Sequence, residues 1–72
     1  MNEKKQMQLT LFLELESHIR NGIPLFLSNV ESNPYEIVDA VFLKEDSIYM
    51  ADYVRDDDGM LLQVRYDRIK AI

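Results

Sequence analysis

The middle of the chain is built from apolar runs separated by short polar segments. From Glu36 to Tyr66 the sequence reads EIVDAVFLKEDSIYMADYVRDDDGMLLQVRY. In the first run both alternating sets of residues are largely apolar, which predicts a strand over residues 35–44 that is covered on both sides. The two later runs predict strands over residues 47–55 and 60–66. An antiparallel meander is therefore expected in this part of the chain.

Two polar segments are predicted to be the turns of this meander. The first is Lys44-Glu45-Asp46-Ser47 and the second is Asp56-Asp57-Asp58-Gly59. The Asp-Gly pair of the second segment supplies the positive φ that a tight hairpin requires. Both connections are short enough to join neighbouring antiparallel strands.

The N-terminal apolar segment fits two patterns. Leucines at positions 9, 11, 13 and 15 alternate with other residues as in a strand, whereas Leu11, Phe12, Leu15 and Ile19 share one face of a helix. The residue types favour a helix, since Leu, Glu, Gln and Met are good helix formers. We predict a helix over residues 7–21, ended by Asn21-Gly22 and preceded by a frayed segment 1–6.

Short strands are predicted on either side of the meander. Residues 23–29 form the first strand, with Pro24 near its start because proline lacks an amide hydrogen. A loop follows over residues 29–34, in which Pro34 restricts Asn33 to extended geometry. After Tyr66 a bend is expected at Asp67-Arg68, and residues 69–72 form a last strand. The predicted fold class is mostly β, or α+β: one N-terminal helix followed by five antiparallel strands in a strongly bent small barrel, all in one domain spanning residues 1–72.

Size and composition point towards self-association. The chain has 72 residues, of which 47% are hydrophobic, and it contains no cysteine and one histidine. A core of this size is expected to supply only about 3–5 kcal/mol, and small chains commonly add disulfides, a metal or oligomerisation. Without cysteine, disulfides and thiolate metal sites are excluded, and one histidine makes a zinc site a poor fit. We therefore expect a homo-oligomer, with a monomer as the alternative, and a protein partner is compatible with either.

The charge of the chain narrows the choice of partners. Eight basic residues face thirteen acidic ones, which gives a formal charge of −5. Such a surface repels phosphate backbones, so RNA binding is disfavoured. A negative net charge is nevertheless compatible with a local basic patch. The sequence contains no apolar run of 18 residues and no small-residue cleavage site behind its N-terminus. We expect no membrane partner and a cytoplasmic location.

One basic cluster is the candidate ligand or interface site. It consists of Arg65, Tyr66, Arg68 and Lys70. Arg68 and Lys70 beside Tyr66 could grip a phosphate and stack a base, while Arg65 points to the opposite face of a strand. The alternative is that these charges solvate a sheet edge and balance nearby aspartates. For Tyr66, packing in the core or at its rim is a further alternative.

The sequence offers little for catalysis or cofactor binding. Residues Asp56 to Asp58 resemble part of a calcium loop, but no later glutamate follows Gly59 to complete one. His18 lies on the predicted helix without a nucleophilic partner apart from its neighbour Ser17, which points elsewhere. No glycine-rich phosphate loop is present. We expect a non-catalytic protein with no cofactor and no metal site.

Three stretches carry a family resemblance: LESHIRNGIPL at residues 15–25, FLKEDSIYM at residues 42–50 and QVRYDRIKAI at residues 63–72. They resemble the Sm-like proteins, and their bacterial Hfq branch in particular. The resemblance implies a helix that caps five bent antiparallel strands, assembly into a ring by strand pairing, and a Tyr66 that bridges protomers. Asp67 and Arg68 stand where the RNA-binding branch has a lysine-histidine pair, so the resemblance implies at most weak or specific RNA binding. An SH3-like adaptor, or an acidic inhibitor acting as a monomer or dimer, is the alternative.

Overall fold

The computed structural model describes residues 3–43 and 47–71, which form two helices, a π-helical turn and four strands. The helices are α1 (Glu3–Arg20) and α2 (Pro34–Val38), and α2 runs directly into the π-helical turn Asp39–Leu43. The strands are β1 (Leu25–Leu27), β2 (Val30–Glu31), β3 (Ser47–Arg55) and β4 (Leu61–Ala71). Within the described ranges, no helix has the length and apolar character needed to cross a membrane.

The sheet is open and mixed, so the predicted five-stranded antiparallel barrel is wrong. The strand order is β2-β1-β4-β3. The β1–β2 and β3–β4 pairs are antiparallel, whereas β1 runs parallel to β4. A parallel pair requires a crossover, and the segment containing α2 and β3 supplies it. The fold is α+β rather than a meander wrapped on itself.

The predicted strand over residues 35–44 is also wrong. Its described residues are helical, because the residues just before it form a helix cap. Asn33 is extended, with φ −142° and ψ 166°, and its side-chain Oδ1 accepts the backbone N–H of Glu36 at 3.0 Å. In return, Asn33 Nδ2 donates to Glu36 Oε1 at 2.9 Å. With Pro34 at the first helical position, this reciprocal cap begins α2. Residue 44 lies outside the described residues.

The N-terminal helix lies where the sequence predicts one but begins earlier. α1 starts at Glu3, so residues 3–6 are helical rather than frayed, and residues 1–2 lie outside the described part. Thr10 donates its hydroxyl to the carbonyl of Gln6 at 2.9 Å, as helical threonines do. Past its end, Gly22 adopts φ 76°, a left-handed conformation that favours glycine.

The strand nearest to α1 is shorter than predicted and belongs to a hairpin. β1 covers only part of the strand predicted over residues 23–29. β2 lies within the loop predicted over residues 29–34. The two residues between them, Ser28 and Asn29, have φ values of 51° and 69°. Consecutive positive φ values are typical of the tight turns that join antiparallel strands.

The last two predicted strands are one. β4 continues from Leu61 through Asp67 and Arg68 to Ala71, without the bend expected there, and residue 72 lies outside the described part. An irregularity in the pairing with β3 between Ile48 and Tyr49 absorbs one residue locally, so the strand continues. The hairpin between β3 and β4 does turn at the predicted aspartates. Gly59 has φ 84° there, and Asp56 Oδ1 accepts the amides of Asp58 and Met60 at 2.9 Å each.

A small core joins the helices to one face of the sheet. Leu15 of α1 is fully buried, together with Ile37 of α2. Leu25 and Val64, which are register partners in β1 and β4, are fully buried as well, and Tyr66 is 6% exposed. The core therefore depends on few side chains, each of which comes from a different element or from the central strand.

Candidate binding surface

Tyr66, the centre of the predicted site, is a core residue. It lies in β4 opposite Ala51 of β3 and packs with Leu15, Leu25 and Val64. Burial raises the pKa of its hydroxyl, and a hydrogen bond with Tyr53 and the charges of Tyr53 and Glu14 act in the same direction. A phenol in this position contributes to the fold and offers no exposed ring for a ligand.

The hydroxyl groups of Tyr66 and Tyr53 connect the sheet to α1. The Tyr53 hydroxyl donates to Glu14 Oε2 at 3.2 Å. Burial, followed by the charge of Glu14 and this hydrogen bond, raises the pKa of Tyr53, while its hydrogen bond with Tyr66 opposes that change. The ring of His18 meets Tyr53 edge-on, with 6.5 Å between centroids. The cluster holds α1 on the inner face of the sheet.

Arg65 belongs to a different surface, as strand alternation predicts. Its guanidinium lies 5.4 Å from the centroid of the Phe26 ring, and its Nη1 donates to Gln63 Oε1 at 3.1 Å. Its Nη2 donates to Asn29 Oδ1. These contacts fix Arg65 across β4, β1 and the turn after β1. It stabilises the outer face of the sheet rather than joining Tyr66.

The remaining two basic residues lie near the far end of β4. Arg68 is exposed and pairs in register with Tyr49, while Lys70 pairs in register with Ile48. The side chain of Lys70 lies outside the described part of the structure. The four predicted residues thus share one strand but not one surface, since Arg65 and Tyr66 face opposite sides of the sheet.

His18 contacts Tyr53 of β3, and Asp56 holds the hairpin between β3 and β4. Within residues 3–43 and 47–71, the buried His18 Nε2 meets no hydrogen-bond partner. Among the described residues, no group of three or more His, Asp or Glu side chains is arranged to hold a metal ion. Asp56 instead accepts hydrogen bonds from the hairpin amides, which gives the start of the aspartate run a structural role.

A large share of the hydrophobic side chains lies on the surface. Among the described residues, more large hydrophobic side chains are exposed than are buried. On the outer side of α1, Leu9 is 57% exposed and Leu13 is 52% exposed. Exposed apolar side chains also occur on the strands, among them Met50, Leu62 and Ile69, but those of α1 and the α2 segment line a groove. Because apolar grooves and patches mark interaction sites, the surface of α1 is the candidate binding site.

A groove runs between α1 and the α2 segment beside those leucines. Its volume is about 430 Å³, and Lys5, Gln8 and Asp39 lie along it. Tyr35, which is 71% exposed, packs its ring against Phe12 with 4.8 Å between centroids. The apolar residues that line the groove are Leu9, Phe12, Tyr35, Val38 and Leu43.

A second groove flanks the other side of α1. It has a volume of about 550 Å³; Met7, Leu11 and Phe42 form its apolar lining, and Glu3, Gln6, Thr10 and Glu14 form its polar lining. Glu14 already accepts the Tyr53 hydroxyl, so the polar side of this groove is engaged within the chain. The first groove is the more open to a partner, since exposed leucines adjoin it.

The sequence contains a signal for this surface that a search for charged motifs does not register. The apolar residues of α1 extend beyond the side that faces the sheet: Leu11 and Leu15 pack towards the core, whereas Leu9 and Leu13 lie on the outer side. An apolar stripe wider than the part that the sheet covers leaves leucines exposed to solvent, where a partner surface can cover them.

Comparisons with protein-family models, with curated proteins and with solved structures find no match. The resemblance to the Sm-like proteins stays a prediction from sequence pattern. The functional conclusion therefore rests on the surface of the chain.

Proposed function

We propose that this chain is a non-catalytic binding module that acts by protein–protein association and forms a homo-oligomer. The observation that carries this proposal is the exposure of apolar side chains on α1, where Leu9 and Leu13 lie about half exposed. Covering such surface is favourable by roughly 25 cal/mol for each Å² removed from water. A second protein surface supplies that cover.

The electrostatics favour protein over nucleic acid as the partner. The formal charge of the chain is −5, and Arg65 is already engaged by Phe26, Gln63 and Asn29. Tyr66 is buried and offers no stacking surface. A partner that brings apolar surface, and few exposed carboxylates, fits the chain better than a polyanion.

Sedimentation of the full chain over a wide range of concentrations tests the proposal. We expect an average mass that exceeds the monomer mass of 8.5 kDa and rises with concentration. A monomer at every concentration contradicts self-assembly. Tight and steeply salt-dependent binding to RNA oligonucleotides, measured by fluorescence anisotropy, would contradict the electrostatic argument.

A further inference from the structure

We propose that two copies of this chain pair through α1. The two helices are antiparallel, and each lies beside the groove between α1 and the α2 segment of the other copy. This inference rests on the proposed self-association and names the surface that carries it. The surface is a stripe of α1, here called the seam. Its members are Lys5, Leu9, Phe12, Glu16 and Ile19.

The spacing of the seam suits helix–helix packing. Its members alternate four and three residues apart along the chain. This alternation repeats on average every 3.5 residues, which places side chains on one stripe of a helix facing a partner helix. Leu9 and Phe12 form its apolar centre, while Lys5 and Glu16 lie on either side of that centre.

The seam is accessible and adjoins further apolar surface. Leu9 is 57% exposed and Ile19 is 45% exposed. Phe12 is partly buried against Tyr35, and Leu43 on the far wall of the groove is 58% exposed. A helix laid along the seam therefore covers side chains from both α1 and the α2 segment.

The charges of the seam select an antiparallel second copy. If the two-fold axis passes between Thr10 and Leu11, Lys5 of one copy lies opposite Glu16 of the other. The same axis places Leu9 opposite Phe12. A parallel pair in register would instead oppose Lys5 with Lys5 and Glu16 with Glu16, and like charges across an interface are strongly unfavourable.

Among the described residues, Glu16 forms an ion pair with Arg20 of the same helix. It lies 3.9 Å from Arg20, with both side chains well exposed to water. An exposed pair of this kind contributes little to stability, so it does not compete strongly with a charge from a second copy. The Glu16 carboxylate is therefore accessible at the edge of the seam, where a second cation can reach it.

Charge reversal at two positions provides the test. We expect K5E and E16K each to weaken dimerisation of the full chain by about tenfold or more, since each opposes two pairs of like charges. An equimolar mixture of K5E and E16K should form heterodimers. In the heterodimer, residues 5 and 16 of K5E are both acidic and face residues 16 and 5 of E16K, which are both basic, whereas each homodimer opposes like charges. The double variant K5E/E16K should dimerise by itself. Sedimentation equilibrium and native mass measurement report all four states.

A matched control separates the seam from net charge. E3K changes the net charge as much as E16K does, at an exposed position of α1 that lies off the seam, and it should dimerise like the wild type. If the wild type associates but K5E and E16K associate equally well, the α1 pairing is wrong while the proposed function stands. A wild type that is monomeric throughout overturns both.

Single cysteines supply a second measurement, since the chain has none of its own. In the antiparallel pair, the two copies of residue 9 are offset by about 4.5 Å along the helix axis. L9C should therefore form a disulfide-linked dimer under mild oxidation far faster than M60C at the exposed hairpin tip. Equal rates for the two variants, or a faster rate for M60C, would contradict the pairing.

Discussion

The two sides of α1 carry the same residue types but serve different purposes. Leu15 is fully buried, whereas Leu13 is 52% exposed. Residues two positions apart in a helix point in directions that differ by about 200°, so Leu15 packs on the sheet while Leu13 faces outward. The inner side is further tied to the sheet by the hydrogen bond between Tyr53 and Glu14. Folding depends on one side of the helix, and we infer that association depends on the other.

The largest difference between the two sides should come from leucine truncation. Leu15→Ala removes a side chain from the centre of the core, where Leu25, Ile37 and Val64 surround it. We expect the free energy of unfolding to fall by about 2–5 kcal/mol, because a cavity remains. In a chain this small, such a loss removes most of the stability. Urea denaturation followed by circular dichroism measures it.

Leu13→Ala is the matched control on the outer side. It should change the free energy of unfolding of the monomer by less than about 0.5 kcal/mol, as surface substitutions usually do. Similar losses for the two variants would mean that the outer side of α1 also supports the monomer fold. The division between the two sides would then be wrong.

The α2 wall of the first groove begins at a helix cap, and removing that cap should have the next largest effect. Asn33→Ala deletes both hydrogen bonds with Glu36. We expect a loss of about 1 kcal/mol in the free energy of unfolding. Asn33→Ser is the control, since its hydroxyl oxygen can accept the Glu36 amide without placing a second carboxylate beside that of Glu36. Equal destabilisation by both variants would contradict the role of the cap.

The same cap explains where sequence reasoning fails. The alternation over residues 35–44 is compatible with a covered strand, and short apolar runs are ambiguous between strand and helix. The deciding signal is local: Asn33, Pro34 and Glu36 together mark a helix start. Pro34 restricts Asn33 to extended geometry, and this restriction alone predicts a loop followed by a strand. Only together with Glu36 does the pair mark the start of a helix.

Other features were predictable because short-range chemistry fixes them. Gly59 ends an aspartate turn between β3 and β4, and the good helix formers of α1 outweigh its alternating leucines. The parallel pairing of β1 with β4 was not predictable, since it joins Leu25 to Val64 across most of the chain. The charged residues of β4 predict a candidate site there, whereas the surface proposed for association is apolar and lies on α1.

A smaller effect is expected from the polar contact on the inner side of α1. Tyr53→Phe removes the hydrogen bond that the Tyr53 hydroxyl donates to Glu14 Oε2. We expect a loss of about 0.5–1.5 kcal/mol in the free energy of unfolding at neutral pH. Tyr35→Phe is the control on the outer side and should have little effect. A neutral Tyr53→Phe would show that packing alone holds this side of the helix.

We also expect the free energy of unfolding to depend on pH in the alkaline range, because of Tyr53 and Tyr66. The pKa values of Tyr53 and Tyr66 are raised in the folded chain, chiefly by burial. The folded state therefore holds these protons more tightly than the unfolded state does. The resulting stability is complete below the ordinary tyrosine pKa of about 10 and is lost as the pH rises through the folded values. Tyr66→Phe should make the decline above pH 10 shallower, and an unchanged decline would contradict the assignment.

The smallest effect on folding should accompany the loss of association. Replacing Leu9 and Leu13 together by glutamine keeps helix-forming residues on the outer side while removing its apolar surface. The free energy of unfolding of the monomer should shift by less than about 0.5 kcal/mol. The dimer should nevertheless dissociate, as measured by sedimentation at concentrations where the wild type associates. If the double variant unfolds instead, these leucines belong to the fold, and the two sides of α1 do not divide the work.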